Sequence, residues 1–360
     1  MLSRKERVVQ VQERVSNDWS RYWWSFIMEN KDKFNLQYIS SQPNLTLDFI
    51  TENPDINWDW GYMSWNPIVT MEFVIANLDK PWHWNGLSLN PNLTIQVIQE
   101  YPDKEWDWEW VSCNRNITMV DIFNNPDKPW VWNYISFNPN LTMQYVLENP
   151  DKPWCWEGIS SNPGITMKDI MENLDKPWDW YKISSNPNLT MEFINENPDK
   201  NWSWTNISCN PNIKPNNIIE NPDNLWNWYS LSYHKNISLD FIKANLDKPW
   251  NWKSISQNPN LTVEFIELFH TKPWDWFWIS NNPNITMKYI KANPDKPWDW
   301  EGIAKNPFTL EKNEFLIREY RRHLASYRIQ QHWHRIRSDP RHPVCQRRLE
   351  REYDQDFGLS

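Results

Sequence analysis

The chain has 360 residues, of which 39% are hydrophobic, with a mean hydropathy of −0.82 and a formal net charge of −9. No apolar run approaches the ~18 residues that cross a bilayer, and residues 1–18 are charged with no apolar secretory core, so the expectation is an intracellular chain, neither secreted nor membrane-embedded. Low hydropathy does not imply disorder here, because 29 Trp supply large apolar areas from few residues.

Taken in order, residues 1–33 read as an N-terminal helical cap that ends in half a repeat, since Phe26, Ile27, Asn30, Asp32 and Lys33 match the second half of the units that follow. Residues 34–309 form a tandem array. A Trp-x-Trp pair recurs eleven times at a spacing of 24, from Trp58 and Trp60 to Trp298 and Trp300, with Phe34 and Leu36 in a degenerate first copy. A fixed period of this length marks units that bury their apolar faces only against neighbours.

Within a unit, Thr190 reads as the N-cap of a short helix, with Glu192 in its first turn and Leu189 placed to staple onto Ile194. Asn197 and Pro198 end it, the Asn tolerating left-handed geometry. Asp175, Lys176 and Pro177 then start a second short segment through Trp178, Trp180 and Ile183, closed by Asn186-Pro187. The three-residue spacing of Trp180 and Ile183 suits 3₁₀ geometry. A β reading is disfavoured by six glycines in the whole chain and a proline at every turn. The fold expected is therefore all-α: a right-handed solenoid of about twelve two-helix units, α plus 3₁₀, on the order of 100 Å long at ~8–10 Å per layer.

Residues 310–360 form a basic helical cap and tail. Between Arg318 and Arg351 ten Arg face three acidic residues, a local +7 that leaves −16 for the rest. The segment from Glu314 to Arg337 reads as an amphipathic helix capping the end of the array.

Two resemblances follow from these residues. The Asn-Pro and Asn-Pro-Asp turns at a 24-residue period resemble the leucine-rich variant solenoid, which implies an alternating α/3₁₀ fold. The segments 173–180 and 293–300, the Ile-Ser and Asn-Pro-Asn-Ile-Thr stretches, and Tyr327 to Trp333 resemble uncharacterised Trp-rich repeat proteins of giant viruses of amoebae. That resemblance implies a viral origin and a repeat class, with no activity to carry over.

Each candidate site has a plainer reading beside it. The second Trp of each pair is in step with Ile and reads as packing. The first Trp, as at Trp82, Trp130, Trp178, Trp250 and Trp298, is the candidate for an exposed aromatic stripe. Arg321, Arg328, Trp333 and Arg335 are the candidate contacts of the basic tail. Asp59, Asp107, Asp179, Asp275 and Asp299 form a broken carboxylate row that reads as a solvated face.

Sequons at Asn44, Asn92, Asn116, Asn140, Asn188, Asn206, Asn236, Asn260 and Asn284 are explained by helix caps rather than glycosylation. The four cysteines, Cys113, Cys155, Cys209 and Cys345, fall at different repeat positions and read as reduced thiols. His332, His334, His342 and Cys345 lack the paired spacing of a zinc site. Ile329-Gln330 resembles a calmodulin-binding IQ motif without its Gly and second basic position.

No nucleophile, base and orienter recur together, and no phosphate-binding glycine loop exists. The expected function is a non-enzymatic scaffold with a protein partner, host or viral, and with no cofactor, no metal, no membrane and no small-molecule substrate. The alternatives are nucleic-acid association through the Arg-rich tail and glycan binding by exposed Trp.

Overall fold

The computed structural model describes residues 4–338, with side chains placed except at 4, 5, 7, 36, 37 and 324–338. Among the described residues there are no strands, and helices of four to six residues alternate in a regular pair per unit between two long terminal helices, Arg4–Glu29 and Thr309–Ser338. Units are numbered from Phe34, so that unit 2 begins at Trp58 and unit 12 at Trp298.

Unit 7 shows why the sequence folds this way. Its first helix, Trp180–Ile183, is capped by Asp179, which lies in the extended region and accepts from the Lys182 N–H. Asp59, Asp107, Asp275 and Asp299 do the same in their units, and Ser203, Asn227 and Asn251 substitute for them. The supposed carboxylate row is thus a row of N-caps, which explains why it tolerates Ser and Asn. Asp175 is not a cap; it sits in the turn that leads to Trp178.

The second helix, Met191–Glu196, is capped by Thr190 as its sequence implies. Asn197 ends it at φ −127° rather than in left-handed geometry, because its side-chain amide donates to the Phe193 carbonyl and stays tied to the last turn. The expected 3₁₀ segment is a short α-helix instead. The Asp179 carbonyl accepts from Ile183 N in a full α-turn, and i→i−3 bonds are confined to the end, at Ser185 and Asn186. Among the described residues the one 3₁₀ helix is Lys31–Lys33.

Units are joined by buried polar rungs. Asn138 donates from Nδ2 to the carbonyls of Ser112, Asn114 and Ile117 in the preceding unit, and its Oδ1 accepts from Asn140 N. Equivalent Asn residues run from Asn66 to Asn306, with His234 taking one place through Nε2 to the Asn210 carbonyl. The buried Ser of each Ile-Ser pair adds a second rung: Ser160 Oγ accepts from Asp179 N in the next unit. These bonds satisfy carbonyls that would otherwise be buried and unpaired.

Spacing differs between the two layers. First helices approach closely, so that a Cβ on Gly86, Gly158 or Gly302 would lie about 3 Å from the Ser64, Ser136 or Ser280 side chain of the preceding unit. Second helices stand farther apart, with Trp, Phe and Ile side chains between them. Small residues on one side and indoles on the other make each unit a wedge, and the array curves with its first helices on the concave side.

That curvature closes the array. Phe34 of unit 1 meets Trp300 of unit 12 edge-on at 5.2 Å and 88°, the geometry of Trp60 with Trp82 (5.0 Å, 77°) and Trp276 with Trp298 (5.2 Å, 87°). Phe26 packs on Phe34 at 6.4 Å as Phe73 does on Trp82 at 6.2 Å. Lys33 lies 4.4 Å over the Trp300 ring, as Lys272 lies 4.8 Å over Trp252.

The half repeat at Phe26–Lys33 therefore supplies the outer part of unit 12, whose inner part is Trp298–Asn306. The expected solenoid is present, but its axis is a circle of twelve units rather than a line of order 100 Å. The Thr309–Ser338 helix starts on unit 11, through Leu310 N to the Pro283 carbonyl and Glu311 to Met287 N, and packs on the Arg4–Glu29 helix through Phe315 against Trp19 and Tyr22, so it braces the closure rather than capping a free end.

Candidate functional site

The Trp pairs do not present an open stripe. In seven of the eleven pairs the first ring is buried and the second half-buried, with Trp82, Trp178, Trp250 and Trp298 only 7–9% exposed, while in the others, Trp130 among them, both rings are half-buried. The indole N–H of the first ring donates to the carbonyl that ends the preceding helix, as Trp178 Nε1 does to Asn173 O at 2.7 Å and Trp250 Nε1 to Asn245 O at 2.8 Å. Trp82, Trp178, Trp250 and Trp298 are thus core residues and Trp130 packs half-buried against the core, the reverse of the expected assignment. Periodicity missed this because the first Trp lies before the helix N-cap and is aimed by the turn, not by the helix.

The second ring is half-buried, stacked edge-to-face on the next unit's first Trp at about 5 Å, and in several units the Lys of the intervening turn lies above it, at 4.9 Å for Lys152 over Trp132 and 5.2 Å for Lys200 over Trp180. Each such cation–π contact contributes roughly 0.5–1 kcal/mol, and seven of the eleven second rings carry one.

The concave wall exposes aromatic side chains, while the outer helices and rim expose aliphatic ones such as Ile219, Leu225 and Leu268. On and just after the first helices, the exposed positions beyond the second Trp hold Tyr62 and Trp65, Leu89, Phe137, Tyr181, Tyr229 and Trp278, with Trp110 half-buried beside them. Several touch across unit boundaries: Tyr38 with Tyr62 at 5.1 Å, Trp110 with Tyr134 at 6.2 Å, and Cys209 with the Tyr233 hydroxyl at 3.0 Å. A hydrogen bond to Glu109 raises the Tyr134 phenol above its ordinary value. Burial, ahead of the Cys209 contact, does the same for Tyr233.

Charges on this wall are sparse and balanced, with Glu109, Glu157 and Glu301 against Lys182, Lys253 and Lys305. Twelve helices at ~8 Å spacing make a circle of axes roughly 30 Å across, and helix thickness with side chains included leaves a channel of about 20 Å.

Two grooves open on the rim that carries the Asp-Lys-Pro turns. One, of about 350 Å³, lies where the array closes, between Phe26, Glu29, Lys33, Lys291, Trp298 and Trp300. The other, of about 780 Å³, is lined by Ile50, Pro54, Trp58, Trp60, Phe73 and Lys80. Neither gathers a nucleophile with a base. Among the described residues no group of three His, Cys, Asp or Glu could hold a metal ion, and no helix is long and apolar enough to cross a membrane.

The sequon amides have structural work. Nδ2 of Asn92, Asn188, Asn236, Asn260 and Asn284 donates to two carbonyls of the preceding unit, and Asn140 does so to Arg115 and Ile117. The Cys113 thiol is pushed up by burial, against the reactivity of a thiolate.

Of the tail candidates, Arg321 is exposed on the Thr309–Ser338 helix. The side chains of Arg328, Trp333 and Arg335, like those of Ile329, Gln330, His332 and His334, lie outside the described residues, as do His342 and Cys345 altogether. No protein-family model, curated protein or solved structure matches the chain.

Proposed function

We propose that the protein is a non-enzymatic scaffold, a ring whose concave wall holds a protein partner. One observation carries this reading: the exposed aromatic side chains of the repeat units (Tyr62, Trp65, Phe137, Tyr181, Tyr229 and Trp278) all lie on the inner side with few charges among them, whereas the outer helices and rim expose aliphatic side chains such as Ile219, Leu225 and Leu268. That composition marks the anchoring centre of a protein interface, where aromatic side chains are enriched and Lys and Glu depleted. Tyr and Trp with Ser, Asn and Thr among them (Tyr181, Tyr229, Trp278, Ser185, Asn133, Thr205) is also the chemistry of adaptable binding surfaces. If the chain derives from a virus of amoebae, as its resemblance implies, the partner is a host or viral protein.

The test is photo-crosslinking from benzoylphenylalanine placed at Phe137, Tyr181 or Tyr229, with Lys168 and Glu172 on the outer layer as controls. A shared adduct from the inner positions alone is expected. Adducts from the outer positions only would overturn the reading.

A second reading is favoured by the exposed Arg321 and Arg322 on a helix that carries ten Arg with the tail beyond it. Nucleic acid bound there would be released steeply by salt. Removal of residues 318–360 would abolish that binding and leave concave-wall adducts intact.

A further inference from the structure

Eleven of the twelve unit junctions carry the same two polar rungs. From Ser40 to Ser280, the Ser hydroxyl accepts a backbone N–H of the next unit, as in Asp59 N to Ser40 Oγ at 2.8 Å and Asp299 N to Ser280 Oγ at 3.0 Å. From Asn66 to Asn306, the ladder side chain donates back to carbonyls of the unit before it.

The twelfth junction, between units 12 and 1, has neither. Ala304 stands where the Ser would be. Gln42 stands where the ladder Asn would be, and its Oε1 is buried without a partner. Trp23 Nε1, on the helix that lines the same junction, is buried and unpaired as well.

This junction is held by side chains instead. Asn44 Nδ2 donates to Asn306 O at 3.1 Å, the Tyr22 hydroxyl donates to Glu311 at 2.8 Å, Glu29 pairs with Lys291, and Phe26 packs on Phe308 at 6.0 Å. Phe34 and Lys33 also pack on Trp300, and Phe315 on Trp19 and Tyr22. Within each side, further bonds tie the terminal helix to its neighbouring unit. Trp19, Ser20 and Asn17 bond to unit 1, and the Glu311 carboxylate accepts from Met287 N of unit 11. Parting here divides the two halves of unit 12 and separates the two terminal helices, which undoes aromatic contacts but breaks no regular rung, whereas every interior junction would lose two.

We propose that the junction of units 12 and 1 is a gate at which the ring opens and recloses, giving an elongated polypeptide lateral access to the concave wall. The gate rests on the binding-ring reading only for its purpose; its opening is measured with no partner present. A closed channel of about 20 Å admits a single helix end-on but not a folded domain, so a chain with folded domains at both ends needs a side entrance.

The experiment is pulsed electron–electron resonance on the full-length ring, with the four native Cys replaced by Ser and spin labels at Ser41→Cys and Lys305→Cys, equivalent positions facing each other across the gate. Ser161→Cys with Ser185→Cys reports an interior junction. The gate pair should show a second, longer distance population and the interior pair a single narrow one. Adding Gln42→Asn with Ala304→Ser rebuilds both rungs and should deplete the longer population roughly tenfold, while Tyr22→Phe should enrich it.

Hydrogen exchange on the unmodified chain reads the same opening without labels. Amides of the inner helices of units 1 and 12 should exchange at least about tenfold faster than those of units 5 to 8. A single narrow distance at both pairs, a longer population indifferent to the rung variants, or uniform exchange around the ring would overturn the gate while leaving the concave wall untouched.

Discussion

Asn138→Ala is the sharpest test of what joins the units. Asn138 is fully buried and makes five hydrogen bonds, three to carbonyls of unit 4 and two from Asn140, by its backbone N–H and its Nδ2. Truncation does not leave all of these partners stranded. The Asn114 carbonyl keeps Ile117 N at 3.1 Å, and the Ile117 carbonyl keeps Asn140 Nδ2 at 3.1 Å. The Ser112 carbonyl and the Asn140 N–H lose their Asn138 partner inside a dry junction.

Two buried groups orphaned at ~1–3 kcal/mol each, with a small void added, give a loss of about 3–5 kcal/mol. Asn140→Ala, at the half-exposed neighbouring position, leaves its carbonyls within reach of water and should cost about 1 kcal/mol. Urea unfolding followed by Trp fluorescence and by far-ultraviolet circular dichroism reads both losses, coincident transitions licensing a two-state comparison. Equal losses for the two variants would refute the claim that the ladder, rather than apolar stacking alone, joins the units.

Other outcomes follow from the same contacts. Trp178→Ala, which removes a buried indole and its hydrogen bond, should cost about 3–5 kcal/mol, and half-buried Trp180→Ala clearly less, in the same titration. Thr190→Ala should cost about 1 kcal/mol through the lost cap on Phe193 N. His234 occupies a ladder position with its pKa lowered by burial. The folded state resists its protonation and the unfolded chain does not, so stability present above about pH 6.5 should fall as pH drops toward the lowered value. Melting curves between pH 7 and pH 5 should show this loss, and His234→Asn should abolish it. The Tyr22 phenol at the gate is raised to about 12, mainly by burial and then by Glu311. Its contribution is full below its ordinary value near 10 and lost as pH rises through about 12, so gate opening should increase over that window, read by exchange at units 1 and 12.

Unit length, unit count and helix content were legible because a 24-residue period, Thr caps and Asn-Pro stops act locally, within one turn of chain. The half repeat at Phe26–Lys33 was legible too, as an oddity before the first full unit. Its purpose was not, because it becomes the missing half of unit 12 only when the far end of the chain arrives beside it.

Which Trp is buried could not be read from spacing, since the turn at Asp175–Pro177, not a helical period, aims Trp178 into the core. The Asn of Asn-Pro reads as turn chemistry in sequence, and only neighbouring units supply the carbonyls that make it a buried rung. Circle against line was likewise a tertiary decision. A small excess of width on the Trp side of each wedge, repeated twelve times, sums to a full turn, and no single unit reveals that sum.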